Sequence, residues 1–181
     1  MIIYFSRHGE SYNNIKNIIG GDCSITKKGE EYSKKLGEYF NKKYKKSDVY
    51  VFTSNLKRTI ETSKYIKTTR ITNSQDLNEI NSGDFDGMVL SDIEKYHPDQ
   101  FKLRNGNKFS NKYPQGESYI DLRNRVNKIL DTIKNHKKDD VIVFITHKAV
   151  SRVIYSYFTK THLRDCTNLD INLHSLYLFK I

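Results

Sequence analysis

The chain has 181 residues, 36% hydrophobic and 29% charged, and its 31 Lys and Arg against 21 Asp and Glu give a formal charge of +10. That length suits one domain, residues 1–181, whose core needs neither a metal nor a disulfide staple, and the composition excludes a disordered or collagen-like chain. Cys23 and Cys166 match no zinc spacing and read as thiols of a reducing compartment; with no basic, apolar leader and no stretch near the roughly 20 apolar residues of a membrane span, a cytoplasmic protein is expected.

Excess positive charge draws polyanions. The densest cluster, "NKKYKKSD" with Lys42, Lys43, Lys45 and Lys46, reads as a solvated helix end and loop rather than a nucleic-acid patch, and no nucleic-acid-binding motif is present.

In chain order, residues 2–5 ("IIYF") form a short buried strand that stops before Arg7 and His8. Thr26 caps a helix with Tyr32, Leu36, Tyr39 and Phe40 on its inner face. "VYVFTS" is a second buried strand; Leu56, Ile60 and Ile66 then suggest a helix, followed by an irregular polar stretch through "LNEINSGDFDG". A short helix over residues 93–96 ends before Pro98. After "YPQGES", Ser118 and Asp121 form a capping box for a helix whose apolar face is Tyr119, Leu122, Val126, Ile129, Leu130 and Ile133. "DVIVFIT" is a third strand, Ala149, Val150, Val153, Ile154, Tyr157 and Phe158 outline another helix, and "HSLYLFKI" closes the chain as a strand. Continuous apolar strands separated by amphipathic helices predict a three-layer α/β domain, its mostly parallel central sheet covered by helices on both faces. Apolar helix faces of this kind suit a core and a subunit interface equally well.

Three strands carry reactive residues at their carboxyl ends: Ser6, Arg7 and His8 after the first; Thr53, Ser54 and, a turn later, Arg58 after the second; Thr146 and His147 after the third. Ligands of open α/β sheets bind at that edge. Singly, a histidine there is an ordinary boundary residue and Arg58 a surface helix residue; together, two imidazoles and two guanidinium forks suit a phosphate. Other phosphate chemistries lack their motifs. There is no Gly-x4-Gly-Lys-Ser/Thr loop, and Cys23 and Cys166 are followed six residues later by Gly29 and Asn172, where a cysteine-dependent phosphatase has arginine. Asp84 and Asp86 in "GDFDG" read as a polar turn rather than a metal site.

"RHGES", "TSNLKRTIET", "LNEINSG" and "ITHKAV", in that order over almost the whole chain, resemble the histidine phosphatase (phosphoglycerate mutase-like) superfamily. The resemblance implies an α/β domain without metal or cofactor, in which His8 is the nucleophile forming a phosphohistidine and Arg7, Arg58 and His147 hold the phosphoryl oxygens. Glu79 would donate a proton to the leaving alkoxide and then activate water; a nearby phosphate favours its protonated form. Within the superfamily, "NIIGGDCSIT", "KYHPDQFKLRNGNKFSNKYPQGESYIDLRNRV" and "HKAVSRVI" are similar to the bisphosphatase domain of the bifunctional 6-phosphofructo-2-kinase/fructose-2,6-bisphosphatases. That likeness implies Asn14 and Gly20 near the reacting phosphate and Arg104, Lys108, Tyr119 and Arg152 around a sugar 6-phosphate. Leu90 stands where that family usually has tyrosine, and Lys148, also in the substrate set, where it has glutamine. The expectation is a stand-alone phosphatase, without the kinase half, acting on a small phosphorylated metabolite such as fructose 2,6-bisphosphate. The alternatives are a broad phosphomonoesterase, a phosphoglycerate mutase, or a basic binding protein on the same fold.

Overall fold

The computed structural model describes residues 1–181 apart from the side chain of Ser47. Five strands, β1 (Ile2–Arg7), β2 (Val49–Thr53), β3 (Ile71–Asn73), β4 (Val141–Thr146) and β5 (Leu176–Lys180), form one sheet in the order β3-β2-β4-β1-β5. Every pairing is parallel except that of β1 with β5. Eight helices connect them: α1 (Tyr12–Ile15), α2 (Lys27–Lys43), α3 (Lys57–Ser63), α4 (Leu90–Tyr96), α5 (Pro98–Gly106), α6 (Tyr119–Thr132), α7 (Lys148–Thr159) and α8 (Leu163–Cys166).

Alternation along the central strands divides the core in two. Ile3, Phe5, Phe52, Ile142 and Phe144 face α6 and α7, meeting Leu122, Val126, Val150 and Ile154. Tyr4, Val49, Val51, Val141, Val143 and Ile145 face α2, meeting Tyr32, Leu36 and Phe40. Both faces of each central strand are therefore buried, which is why these strands read as continuous apolar runs. The expected three layers are present, with one antiparallel edge on an otherwise parallel sheet.

Several elements depart from the sequence reading. β1 continues through Ser6 and Arg7, because Arg7 pairs with Thr146 of β4. The buried face of α3 is Arg58, Thr59, Thr62 and Ser63 rather than an apolar stripe, and Ile60 is exposed. The "irregular" stretch after it contains β3, an exposed edge strand. The short helix ends before Pro98 as expected, but it starts earlier, at Leu90, and Pro98 opens a further helix, α5, that the sequence did not show. Asp86 is more than part of a turn: its Oδ1 accepts from Gly21 N at 2.9 Å and Ser82 Oγ at 3.3 Å. Lys43, expected to be solvated, donates to the hydroxyls of Tyr4 and Tyr39 at 2.9 and 2.6 Å. Among the described residues no helix is long and apolar enough to cross a membrane.

Candidate active site

The register places the chemistry. Arg7 pairs with Thr146 and Thr53 with Ile145, so β1, β2 and β4 end side by side, and His8 N donates to Thr146 O at 2.8 Å. His8 and His147 leave adjacent strand ends with ring centroids 5.3 Å apart. The turn after β1 packs against the start of α2 and against α3. Gly9 lies so close to Gly29 that a Cβ would sit 2.7 Å from Gly29 O, and Gly9 N donates to Thr62 Oγ1 at 2.8 Å. The polar face of α3 is thus spent holding this turn and Arg58.

His8 is 3% exposed. Its Nδ1 lies 2.7 Å from Gly9 O; a carbonyl only accepts, so Nδ1 carries the proton and Nε2 keeps its lone pair. Burial first, and then the Arg58 charge, hold the imidazole well below its ordinary pKa, so the ring is neutral near pH 7 and nucleophilic at Nε2.

A cavity of about 370 Å³ opens in front of His8, its wall including Arg7, Arg58, Asn14, Gly20 and Glu79 at one end and Arg104, Lys108, Tyr119, Lys148 and Arg152 at the other. Arg58, Arg104 and Arg152 are buried and Arg7 half-buried, yet the arginine ion pair found among the described residues is that of Arg125 with Glu117. Arg7 Nε, Arg104 Nε and Arg104 Nη1 are buried without any acceptor. Cations kept from water without carboxylate partners are costly unless an anion completes them. Burial lowers the pKa of Arg7, Arg58 and Arg104, with Glu79 opposing the shift for the first two. At the far end Arg152 donates to Tyr119 Oη at 2.7 Å and to Leu169 O at 2.7 Å. Arg104 lies 4.5 Å over the Tyr113 ring, and Lys148 is paired with Asp170 at 2.8 Å.

Residues 3–181 match the model of the histidine phosphatase superfamily (branch 1). The chain belongs to that superfamily. The fructose-2,6-bisphosphatase of Saccharomyces cerevisiae is 36% identical over 174 residues, 96% of this chain and 38% of the yeast protein. The 6-phosphofructo-2-kinase/fructose-2,6-bisphosphatase of Arabidopsis thaliana is 33% identical over 175 residues, 96% of this chain and 23% of that protein. The chain therefore spans well under half the length of these curated relatives. Among solved structures, the alpha-ribazole phosphatase of Shigella flexneri superposes with a TM-score of 0.89 at 16% identity, covering 100% of this chain and 91% of that one. Bacillus stearothermophilus YhfR gives 0.87 at 21%, covering 99% and 91%. The histidine phosphatase fold is thus shared.

Of the site residues expected from the sequence, all but His147 line the cavity. His147 is fully buried behind it. Arg58 Nε donates to its Nδ1 at 3.2 Å, and its Nε2 lies 2.8 Å from Ser54 Oγ. With both nitrogens engaged, it holds Arg58 and does not face the cavity. Burial, then Arg58, hold its pKa well below the ordinary value. Glu79 accepts from Ile80 N at 3.0 Å and Ala149 N at 3.2 Å. Gly20 takes φ +69°, and a Cβ there would collide with the Asp86 carboxylate, so glycine is required where the loop meets the His8 end of the cavity.

Sequence reasoning missed Tyr113, Ile80, Ser11 and Phe101 in the cavity wall, and Arg125 behind it. Arg125 donates to the carbonyls of Asp76, Asn78 and Glu79 at 2.8 to 3.0 Å while Glu117 grips it through two oxygens, each at 2.8 Å. It fixes the loop that carries Glu79. A second cavity of about 560 Å³ shares Gly20, Arg58, Glu79 and Ile80 with the first. Asp22, Asp76, Asp86 and Glu117 join Glu79 in lining it, with Arg125 paired to Glu117, and the excess of carboxylates repels an anion there.

Proposed function

We propose that residues 1–181 act as a single metal-independent phosphatase domain that removes the 2-phosphate of fructose 2,6-bisphosphate through a phosphohistidine. The reading rests above all on Arg7 and Arg58, without carboxylate partners, beside a neutral histidine whose Nε2 is free to attack, with two more arginines lacking such partners, Arg104 and Arg152, at the far end of the same cavity. In the mechanism, Nε2 of His8 attacks phosphorus while Arg7 and Arg58 neutralise the phosphoryl oxygens. Glu79 protonates the departing sugar oxygen, and the resulting carboxylate then takes a proton from the water that attacks the phosphohistidine. For His147 the geometry supports holding Arg58 in place, in contrast to the direct phosphate contact that the family resemblance implies.

The second basic group, Arg104, Lys108 and Arg152 with Tyr119, suits a second phosphate on the same molecule. Names of the relatives support the sugar bisphosphate. The two free cysteines fit a reducing cytoplasm, and the concave basic site suits a small metabolite rather than nucleic acid. A broad phosphomonoesterase is the second reading, carried by Leu90 and Lys148 in the cavity wall.

The deciding experiment measures phosphate release, with a chelator present, from fructose 2,6-bisphosphate, fructose 1,6-bisphosphate, 3-phosphoglycerate and an aryl phosphate. Preference for the first by at least about tenfold, abolished in His8→Ala, is expected. Equal slow release from all four would replace the substrate assignment by the broader one, and full activity in His8→Ala would overturn the mechanism.

A further inference from the structure

We propose that His174 is a positioning residue for His8, acting through the Gly9–Glu10 peptide. The inference deepens the reading of His8 as nucleophile and rests on it. A peptide unit is planar and trans, so its C=O and N–H point in opposite directions. Here Gly9 O accepts the Nδ1 proton of His8 at 2.7 Å, and Glu10 N at the other end donates to His174 Nε2 at 3.1 Å. Turning that plane breaks both bonds. An acceptor on the N–H also polarises the amide and strengthens its carbonyl as an acceptor for His8.

Neighbouring peptides of the turn have their own anchors: Gly9 N donates to Thr62 Oγ1 at 2.8 Å, and Glu10 O accepts from Thr26 N at 2.7 Å. His174 holds the one between them. It is itself fixed, at φ +61° in the left-handed region that a non-glycine residue seldom adopts, with its ring 4.8 Å from that of Tyr32. Tyr32 Oη lies 2.6 Å from Ser6 Oγ, just before Arg7. The loop also reaches Arg7, whose Nη1 donates to Ile171 O at 3.4 Å. One segment ahead of β5 thus braces the His8 turn from both sides.

Glu10 N–H can only donate, so the bond needs His174 neutral, with its proton on Nδ1. Protonation of Nε2 would remove the acceptor. Around the ring, burial and then the Lys28, Lys35 and Arg7 charges oppose protonation, while Glu10 favours it, and the balance lowers its pKa.

The test reads the His8 tautomer directly, by nitrogen-15 NMR of the imidazoles in the full chain at about pH 7.5, where the wild type should show the Nδ1–H form. His174→Phe keeps a ring on Tyr32 but has no acceptor; it should mix the two His8 tautomers and lower kcat about 10- to 100-fold with little change in KM. His174→Gln restores an acceptor at the Nε2 position and should recover both. A His8 tautomer unchanged in His174→Phe overturns the proposal. Should that variant fail to fold, the wild type decides: the His8 signals must shift as His174 titrates, and independence of the two overturns it. The spectra need no turnover, so a chain inert towards phosphate esters whose His8 tautomer still follows His174 would sink the phosphatase reading and keep this one.

Discussion

Arg104 is 4% exposed, and its Nε and Nη1 have no acceptor. Stacking on Tyr113 returns about 1 kcal/mol, less than the several kcal/mol that effective desolvation of an ion costs. Folding therefore tolerates a charge that only a bound anion completes. Arg104→Met should stabilise the ligand-free protein by about 1–2 kcal/mol, raising Tm by roughly 2–8 °C, while weakening binding of a bisphosphate. Thermal unfolding with and without inorganic phosphate checks both halves: phosphate should raise the wild-type Tm by mass action, and a variant less stable than wild type would refute the argument. At this scale the sequence was most informative for residues just past strand ends, since strand polarity alone brings Arg7, His8 and Arg58 together. It was least informative at His147, whose spacing from its strand cannot tell a cavity-facing ring from one turned back onto Ser54 and Arg58.

α6 works as a scaffold as well as a core element. Its N-terminus is closed by the predicted capping box, Ser118 Oγ with Asp121, and Arg125, midway along it, ties three backbone carbonyls of the loop over residues 76–79 to Glu117. Lysine keeps the charge but lacks the planar fork that makes these bonds simultaneously. Arg125→Lys should cost about 1.5–3 kcal/mol and lower kcal-scale protection of the Ile80 and Asn81 amides, which hydrogen exchange would register together with a fall in kcat. Unchanged exchange at those amides would refute the tether. Helices such as α6 and α7 were legible because their buried faces are apolar at helical spacing. α3 was found as a helix but its inner face was not, because that face is polar, committed to Gly9, Ser54 and Arg58. α5 was missed because its buried residue is Arg104, with no apolar stripe beside it, and β3 because an exposed three-residue edge has no burial pattern to read.

For the molecule as a whole, the edge of the sheet that carries His8 and His147 makes stability depend on pH. His8 and His147 are buried neutral, burial and then Arg58 pushing both well below their ordinary pKa. In the unfolded chain each titrates near about 6.5. Above that value neither state binds the extra proton and the histidines leave stability unchanged. Below it the unfolded chain takes up protons that the folded site refuses, so stability falls as pH falls, and goes on falling until the folded-state pKa values are reached. Each histidine should remove about 1.4 kcal/mol between about pH 7.5 and 5.5, and the pair about 2.5–3. Asp121, held at about 2 chiefly by Ser118, acts in a separate window: its contribution is present above about 3.9 and is lost as pH falls towards about 2. Urea unfolding in phosphate-free buffer at several pH values measures the slope. A stability that stays flat from about pH 7.5 to 5.5 would mean that the folded site accepts protons after all, and the neutral imidazole that the proposed phosphohistidine mechanism requires would go with it.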